Sequence, residues 1–468
     1  MKTSTLLLKA WLLIALCAGL SPREAFAAFQ NAALTNGLLT ITSTPTSSMI
    51  NLKVIGAILA IEEIPSLNNP AVIRATFPLA SVRRIKYIGG AGIDIFTAAN
   101  LNIPIIALGN DGNDILSGGN KNDVLIGGNG TDTMLGKGGD DTLVGIDGTL
   151  GDNLVGGIGK DAFWMDFIGG NRDQNDRQAD DYIHDVSRFA NGADLTLNGD
   201  DIADPALNTQ FTSGWSYTNH RDKPLFPSSG PSLTDVRQRL SSDCKVVATI
   251  AGLANNTVSG SAWPVRRALA DFGDGTFGVR LGNSFYRIDG DLPMNGGRFG
   301  SSAPGSENCI WPAIVEKALC YHLPRTPGIF QWQDLFSIAP HDIMLAFGAE
   351  DADSPKIGER YSSAQDMANK LFNSFNNYEN VVFTLATAST VGGVHAYTLI
   401  GVTRNASGAV ASITFYNPWG NSDGNGRNAN NIQWYTDANA SDARVTFTPE
   451  QLWQDANVGR ATVGSRIQ

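Results

Sequence analysis

The 468-residue chain is 42% hydrophobic and 17% charged, which suits a folded protein of two or three domains, each with its own core. A formal net charge of −11 sets its surface against nucleic acid, and beyond the N-terminal segment no stretch is long and apolar enough to span a bilayer.

Residues 1–27 carry Lys2, Lys9, the apolar run Ala10 to Leu20, and then Ala25-Phe-Ala27, a small-x-small cleavage pattern. This is the layout of a signal peptide cut after Ala27. The remaining chain is therefore expected outside the cytoplasm: secreted, at the cell surface or in the periplasm, without stable membrane insertion. Three cysteines remain after such a cut, Cys244, Cys309 and Cys320, and an odd number leaves at least one free thiol. If Cys309 and Cys320 share the helix suggested by Trp311 to Leu319, their Cα atoms lie about 16 Å apart, beyond disulfide reach. Both are then expected to be small buried hydrophobes.

Residues 28–88 are β-rich. Gly37-Leu-Leu-Thr-Ile-Thr-Ser43 and Ile50-Asn-Leu-Lys-Val-Ile55 are strand-like, and Asn36-Gly37 is a turn signal. They read as irregular rungs or a cap for the repetitive tract that begins at Gly89.

Residues 89–165 repeat a nonapeptide: Gly89-Gly-Ala-Gly-Ile-Asp94, Gly109-Asn-Asp-Gly-Asn-Asp114, Gly118-Gly-Asn-Lys-Asn-Asp123, Gly127-Gly-Asn-Gly-Thr-Asp132, Gly136-Lys-Gly-Gly-Asp-Asp141 and Gly156-Gly-Ile-Gly-Lys-Asp161. Glycines permit tight turns and expose carbonyl oxygens, aspartates add carboxylates, and stacked turns surround a hard cation with oxygen. The apolar residue two after an aspartate (Leu116, Leu125, Met134, Leu143, Leu154, Phe163) is placed to fill a solenoid core. The pattern resembles the RTX calcium-binding repeat, which implies a parallel β-roll, Ca²⁺ as cofactor, and Asp94, Asp114, Asp123, Asp132, Asp141, Asp152 and Asp161 as ligands. Without calcium the stacked carboxylates should repel and leave the segment largely unfolded.

Two irregularities are expected to weaken sites. A two-residue insertion follows Asp141, and Lys121 replaces a glycine where positive φ is usual. Residues 166–202 resemble the closing segment of RTX tracts and are expected to cap the solenoid. The polar stretch 203–223, with its proline and glycine, reads as a joint.

Residues 224–468 carry the chemistry. Gln238 lies six residues before Cys244, which opens the apolar run Val246, Val247, Ile250, Leu253; Gly393-Val-His395-Ala-Tyr follows, then Asn417-Pro-Trp-Gly420. Amide hydrolysis by a thiol needs a thiolate, a base, a group that orients the base, and oxyanion donors. Ser241 or Ser242 is suited to cap the helix, placing Cys244 in the first turn, where the positive helix end lowers a thiol pKa. Taken singly, a lone cysteine is usually structural, a histidine before a strand is usually a packing residue, and Asn-Pro-Trp-Gly is a turn.

Together with Pro224-Leu-Phe, Gly230 to Gln238, Asp271 to Arg280 and Trp311 to Leu319, these stretches resemble the calpain-type core of the papain-like cysteine proteases. The resemblance implies Cys244 as nucleophile, His395 as base, Asn417 as its orienting partner, Trp419 as a shield for that contact, and the Gln238 amide with the Cys244 N–H as oxyanion donors. It departs from the family where Lys245 stands for tryptophan and Ser242 for glycine. The penta-EF-hand region of the large animal calpains has no counterpart.

The expected architecture is thus multidomain α+β, an N-terminal parallel β-solenoid followed by a papain-like, calpain-like protease domain. The expected function is a secreted, calcium-binding cysteine endopeptidase acting on proteins or peptides through a thioester. The competing readings are a non-catalytic, calcium-dependent surface or adhesion protein and a thioester-based acyltransferase.

Overall fold

The computed structural model describes residues 29–65, 69–207, 214–239, 243–255, 263–386, 394–418, 443–456 and 460–467. The chain divides into two compact units, Met1–Asp200 with Ala270–Asp274, and Asp201–Leu269 with Gly275–Gln468.

The first unit opens with an antiparallel hairpin, β1 (Phe29–Thr35) and β2 (Leu38–Ser43), turned by Asn36 and Gly37, both at positive φ. A meander follows: β3 (Ser48–Ile55), β4 (Ile58–Glu63) and β5 (Val72–Pro78). The chain then winds through β6 (Arg84–Ile88), β7 (Asp94–Thr97), β8 (Ile105–Asp111), β9 (Ile115–Ser117), β10 (Val124–Asn129), β11 (Thr133–Gly138), β12 (Thr142–Gly145), β13 (Asn153–Ile158) and β14 (Ala162–Ile168). The short β15 (Asn171–Arg172) and β16 (Gln174–Asn175) and then β17 (Tyr182–Val186) complete it.

Strands alternate between two sheets. One stacks β2, β6, β8, β10, β12, β14 and β17 in parallel, the other β3, β7, β9, β11, β13 and β16. Each nonapeptide therefore makes half a turn, and Val124 pairs with Thr142 one full turn on. The result is a parallel β-solenoid of about five turns over residues 85–186. Leu116, Leu125, Met134, Leu143, Leu154 and Phe163 are each 0% exposed and form its core, as the period requires.

The insertion after Asp141 leaves the ladder intact, because Thr142 simply pairs with Ala162, twenty residues on, and the extra residues loop out of the turn. Lys121 is not at positive φ either; the strained position is Lys137, at φ 80, where Gly128 and Gly157 occupy the same place in their repeats. In the tract expected to cap the solenoid, β16 and β17 join the two stacks in parallel.

In the second unit the stretch expected as a joint contains β18 (Trp215–Asn219), paired antiparallel with β22 (Asp291–Asn295), which in turn pairs with β23 (Arg298–Phe299). Lys317, 0% exposed, anchors the same stretch through Asp204 at 2.5 Å. Between them in the chain lie helix α1 (Cys244–Asn255), β19 (Leu269–Asp271), of which only Leu269 is counted in this unit, and the antiparallel pair β20 (Thr276–Leu281) and β21 (Ser284–Asp289). Helix α2 (Trp311–His322), β24 (Ala352–Asp353) and helix α3 (Ala364–Asn376) follow. The chain ends in β25 (Asn380–Ala386), β26 (Val394–Arg404), β27 (Val410–Tyr416), β28 (Arg444–Phe447) and β29 (Arg460–Gly464). These strands form a six-stranded sheet in the order β24-β29-β25-β26-β27-β28.

Period-two burial explains how this sheet divides two cores. Val382, Ala396 and Tyr416 face the core that holds α1 and α2, while their neighbours Val381, Phe383, Tyr397 and Phe415 face the core that holds α3. Helix α1 lies close to the sheet because position 252 is glycine; a Cβ there would collide with the side chains of Asn380 and Thr398. Glycine inside a helix costs about 1 kcal/mol, and here the close approach requires it.

Candidate active site and aspartate ladders

Cys244 is the first residue of α1, and the carbonyl of Asp243 accepts the Val247 N–H at 3.1 Å. Ser241 and Ser242, expected to cap this helix, lie outside the described residues. Two sheet contacts set the helix position. Thr398 Oγ1 donates to the Ala248 carbonyl, and Asn380 Nδ2 to the Thr249 carbonyl at 3.3 Å. The Cys244 sulfur thereby comes against the backbone N–H of Ala396, the residue after His395. The His395 side chain lies outside the described structure, but its backbone is in β26, paired with Leu385.

Asn417 follows β27 directly and is 0% exposed, with its N–H donating to the Ala443 carbonyl at 2.8 Å. Because Thr398 pairs with Tyr416 across antiparallel strands, His395 at the start of β26 and Asn417 just past β27 belong to the same end of the sheet. Gln238, 5% exposed, joins that end through its own N–H, which donates to the Pro418 carbonyl at 2.7 Å. Tyr416 Oη donates to the Val236 carbonyl at 2.8 Å and staples the same two segments. Main chain at 238, 244, 395 and 417 is thus gathered at one sheet end, although nearly 180 residues separate the first from the last. Trp419 lies outside the described residues.

The electrostatics differ from the expectation of a depressed thiol pKa. Burial pushes the Cys244 thiol up to about 11, and the carboxylate of Asp243 adds to the rise. The Ala396 N–H, the Lys245 ammonium and the Lys245 N–H work in the opposite direction without prevailing. A thiol in this setting is neutral until a base takes its proton. Cys309 and Cys320 are free and buried, but Cys309 precedes α2 instead of sharing it.

In the solenoid the repeat aspartates form two ladders. In one, the N–H groups of Asp94, Asp114 and Asp132 donate to Oδ1 of Asp114, Asp132 and Asp152 at 2.7, 2.7 and 2.8 Å. In the other, those of Asp123 and Asp141 donate to Oδ1 of Asp141 and Asp161, both at 2.8 Å. Asp173 and Asp181, which stand outside the nonapeptide repeats, extend the ladders by accepting from the N–H of Asp152 at 3.2 Å and of Asp161 at 3.0 Å. An aspartate roughly one turn beyond each repeat aspartate was the available signal; the Gly169-Gly170 pair stands out of the repeat's register before Asp173, and no glycine leads into Asp181, which hid it.

The second oxygens of Asp114, Asp132, Asp152 and Asp161 are buried and receive no hydrogen bond. A Cβ on Gly109 would collide with both Asp114 Oδ2 and the Gly127 carbonyl oxygen, so carboxylate and carbonyl oxygens converge where a side chain is missing. That donor set, all oxygen and short of positive charge, fits Ca²⁺. Burial, with help from neighbouring aspartates, pushes Asp114 and Asp152 up to about 9 and Asp161 to about 7.

Comparison with known families agrees with both halves. The profile described as calpain family cysteine protease matches residues 208–453, more than half of the chain. The chain belongs to the calpain family of cysteine proteases. In this calpain-family protein the profile of the RTX calcium-binding nonapeptide repeat matches residues 108–143 as four copies. A search of curated proteins found no match. Among the described residues of this protease no helix is long and apolar enough to cross a membrane.

Proposed function

We propose that this calcium-binding cysteine protease is an exported endopeptidase that cleaves protein substrates through a thioester on Cys244. The observation that carries the reading is the meeting of three segments at one sheet end, with the Cys244 sulfur on the Ala396 N–H and the Gln238 N–H on the Pro418 carbonyl.

In this scheme His395 takes the proton from Sγ of Cys244 as the sulfur attacks the scissile carbonyl carbon. Since burial holds the thiol high, transfer to the imidazole accompanies attack. The Cys244 N–H, at the positive end of α1, and the Gln238 amide hold the oxyanion, each donor worth about 2.7 to 4 kcal/mol of barrier. Asn417 accepts from the other ring nitrogen of His395 and selects its tautomer. The imidazolium then protonates the departing amine, and a water deprotonated by the same ring attacks the thioester, releasing the acid and restoring the thiol. Asp94, Asp114, Asp123, Asp132, Asp141, Asp152 and Asp161 would hold Ca²⁺, which supplies charge neutralisation and so stability to the solenoid. A signal peptide over residues 1–27 would carry the repeats to a compartment where calcium is available to them.

The test compares wild type, Cys244→Ala and His395→Ala for casein cleavage in millimolar calcium and for labelling by an active-site thiol probe. Cleavage and labelling should both vanish with Cys244→Ala, and cleavage should fall at least a thousandfold with His395→Ala. Equal cleavage by wild type and Cys244→Ala would end the proposal, as would a folded wild type that neither cleaves nor labels. Amide products formed with an added amine would instead mark an acyltransferase.

A further inference from the structure

We propose that Asp243, immediately ahead of the nucleophile, is a positioning residue for the oxyanion amide: its carboxylate sets the orientation of the Gln238 side chain so that Nε2, and not Oε1, is presented to the developing negative charge. This rests on the peptidase reading above and assigns a role to a residue that reading does not use.

The geometry is local and buried. Asp243 is 0% exposed, and its Oδ1 accepts from Gln238 Nε2 at 3.4 Å. The main chain of Gln238 is held by its own N–H on the Pro418 carbonyl at 2.7 Å and, one residue earlier, by the Ala303 N–H on the Arg237 carbonyl at 2.9 Å. Backbone anchoring does not orient the amide, because the terminal torsion of glutamine is broad and nearly two-fold. Turned by half a rotation, the amide would aim its carbonyl oxygen at the oxyanion and repel it. A carboxylate has no proton to donate, so only the Nε2 side of the amide can pair with it. Since Asp243 carries the carbonyl bonded to Val247 in the first turn of α1, it moves with Cys244, and the amide is referenced to the nucleophile itself.

Helix capping alone does not call for an aspartate at this position. Serine, asparagine and aspartate cap helices about equally well. Aspartate alone among them brings a charge that, after burial, is the next largest influence raising the Cys244 thiol. It also faces Glu316, 0% exposed, whose carboxyl accepts from the Ser302 N–H at 3.0 Å and Ser302 Oγ at 2.5 Å. Burial and the Asp243 charge hold Glu316 well above the usual carboxylate range. A cap without charge would spare the site both penalties; an acceptor that cannot flip gives the charge a purpose.

The experiment uses the full chain in calcium with a peptide substrate. Asp243→Ser and Asp243→Thr keep a capping oxygen but are too short to reach the amide, and each should lower kcat about 10- to 100-fold with KM within twofold. Asp243→Asn, whose Oδ1 still accepts, should return kcat to within about fivefold of wild type. In a Gln238→Ala background, Asp243→Ser should cost less than threefold more, because the two residues act through one interaction. Matching far-ultraviolet circular dichroism and melting temperature qualify a variant for comparison, and either short variant suffices. Wild-type kcat in a folded Asp243→Ser or Asp243→Thr would overturn the role, as would an undiminished loss in the Gln238→Ala background or a hundredfold loss in Asp243→Asn. These outcomes presuppose an active wild type; an inactive one refutes the peptidase reading itself.

Discussion

Withdrawing calcium should leave the solenoid with a stability that falls as pH rises. Asp132 shows the size of the effect. Burial, together with the Asp147 charge, lifts its pKa from 3.8 to about 7. At ~1.4 kcal/mol for each tenfold change, ionising it in the folded state at neutral pH costs about 4 kcal/mol more than in the unfolded chain. The sign follows from the raised folded value: the protonated group leaves stability intact below about pH 4, and that stability drains away as pH passes through 7. Asp114 and Asp152, lifted to about 9, carry the loss further upward. A few such groups rival the roughly 5–15 kcal/mol that holds a domain together. Calcium reverses the balance because the cation favours the ionised carboxylates. Differential scanning calorimetry of the full chain in metal-stripped buffers from about pH 5 to pH 8 should show the solenoid transition falling by at least about 10 °C. Millimolar calcium should abolish that slope and raise the midpoint at every pH. A calcium-free transition that is flat or climbs with pH would refute the reasoning.

Because burial and Asp243 hold the Cys244 thiol near 11, iodoacetamide should alkylate a His395→Ala variant at a rate that climbs with pH without a plateau below about pH 10, whereas wild type should plateau earlier; identical profiles would remove the imidazole from thiol activation. Phe163, 0% exposed in the solenoid core, should cost about 3–5 kcal/mol when replaced by alanine, read as a lowered calcium-loaded midpoint; a loss below about 1 kcal/mol would mean the rung is not packed. Lys137→Gly relieves a left-handed residue worth about 1–2 kcal/mol against the added freedom of glycine in the unfolded chain, so the midpoint should rise slightly. A fall would show that the lysine side chain itself contributes.

Periodicity by itself determined the first half of this protein. A nine-residue repeat with an apolar residue two places after each aspartate admits one compact solution, in which Leu116 through Phe163 turn inward and the aspartates align, since each half-turn repeats the same local geometry. Local chemistry likewise placed Cys244 at a helix start and Gln238 six residues before it. Spacing did not reveal that Asp173 and Asp181 continue the ladders, because backbone pairing one turn away recruits them without the in-register glycine signature. Nor did it reveal that Lys137, not Lys121, bears the backbone strain. Only the tertiary structure decided the thiol's character. Helix position alone argues for a low pKa, yet desolvation, a product of how α1 settles on β25 and β26, outweighs it, with the adjacent Asp243 charge adding to the rise. The meeting of residues 238, 244, 395 and 417 has the same origin, because strand register brings distant segments to one sheet end and no property of the separate segments encodes that distance.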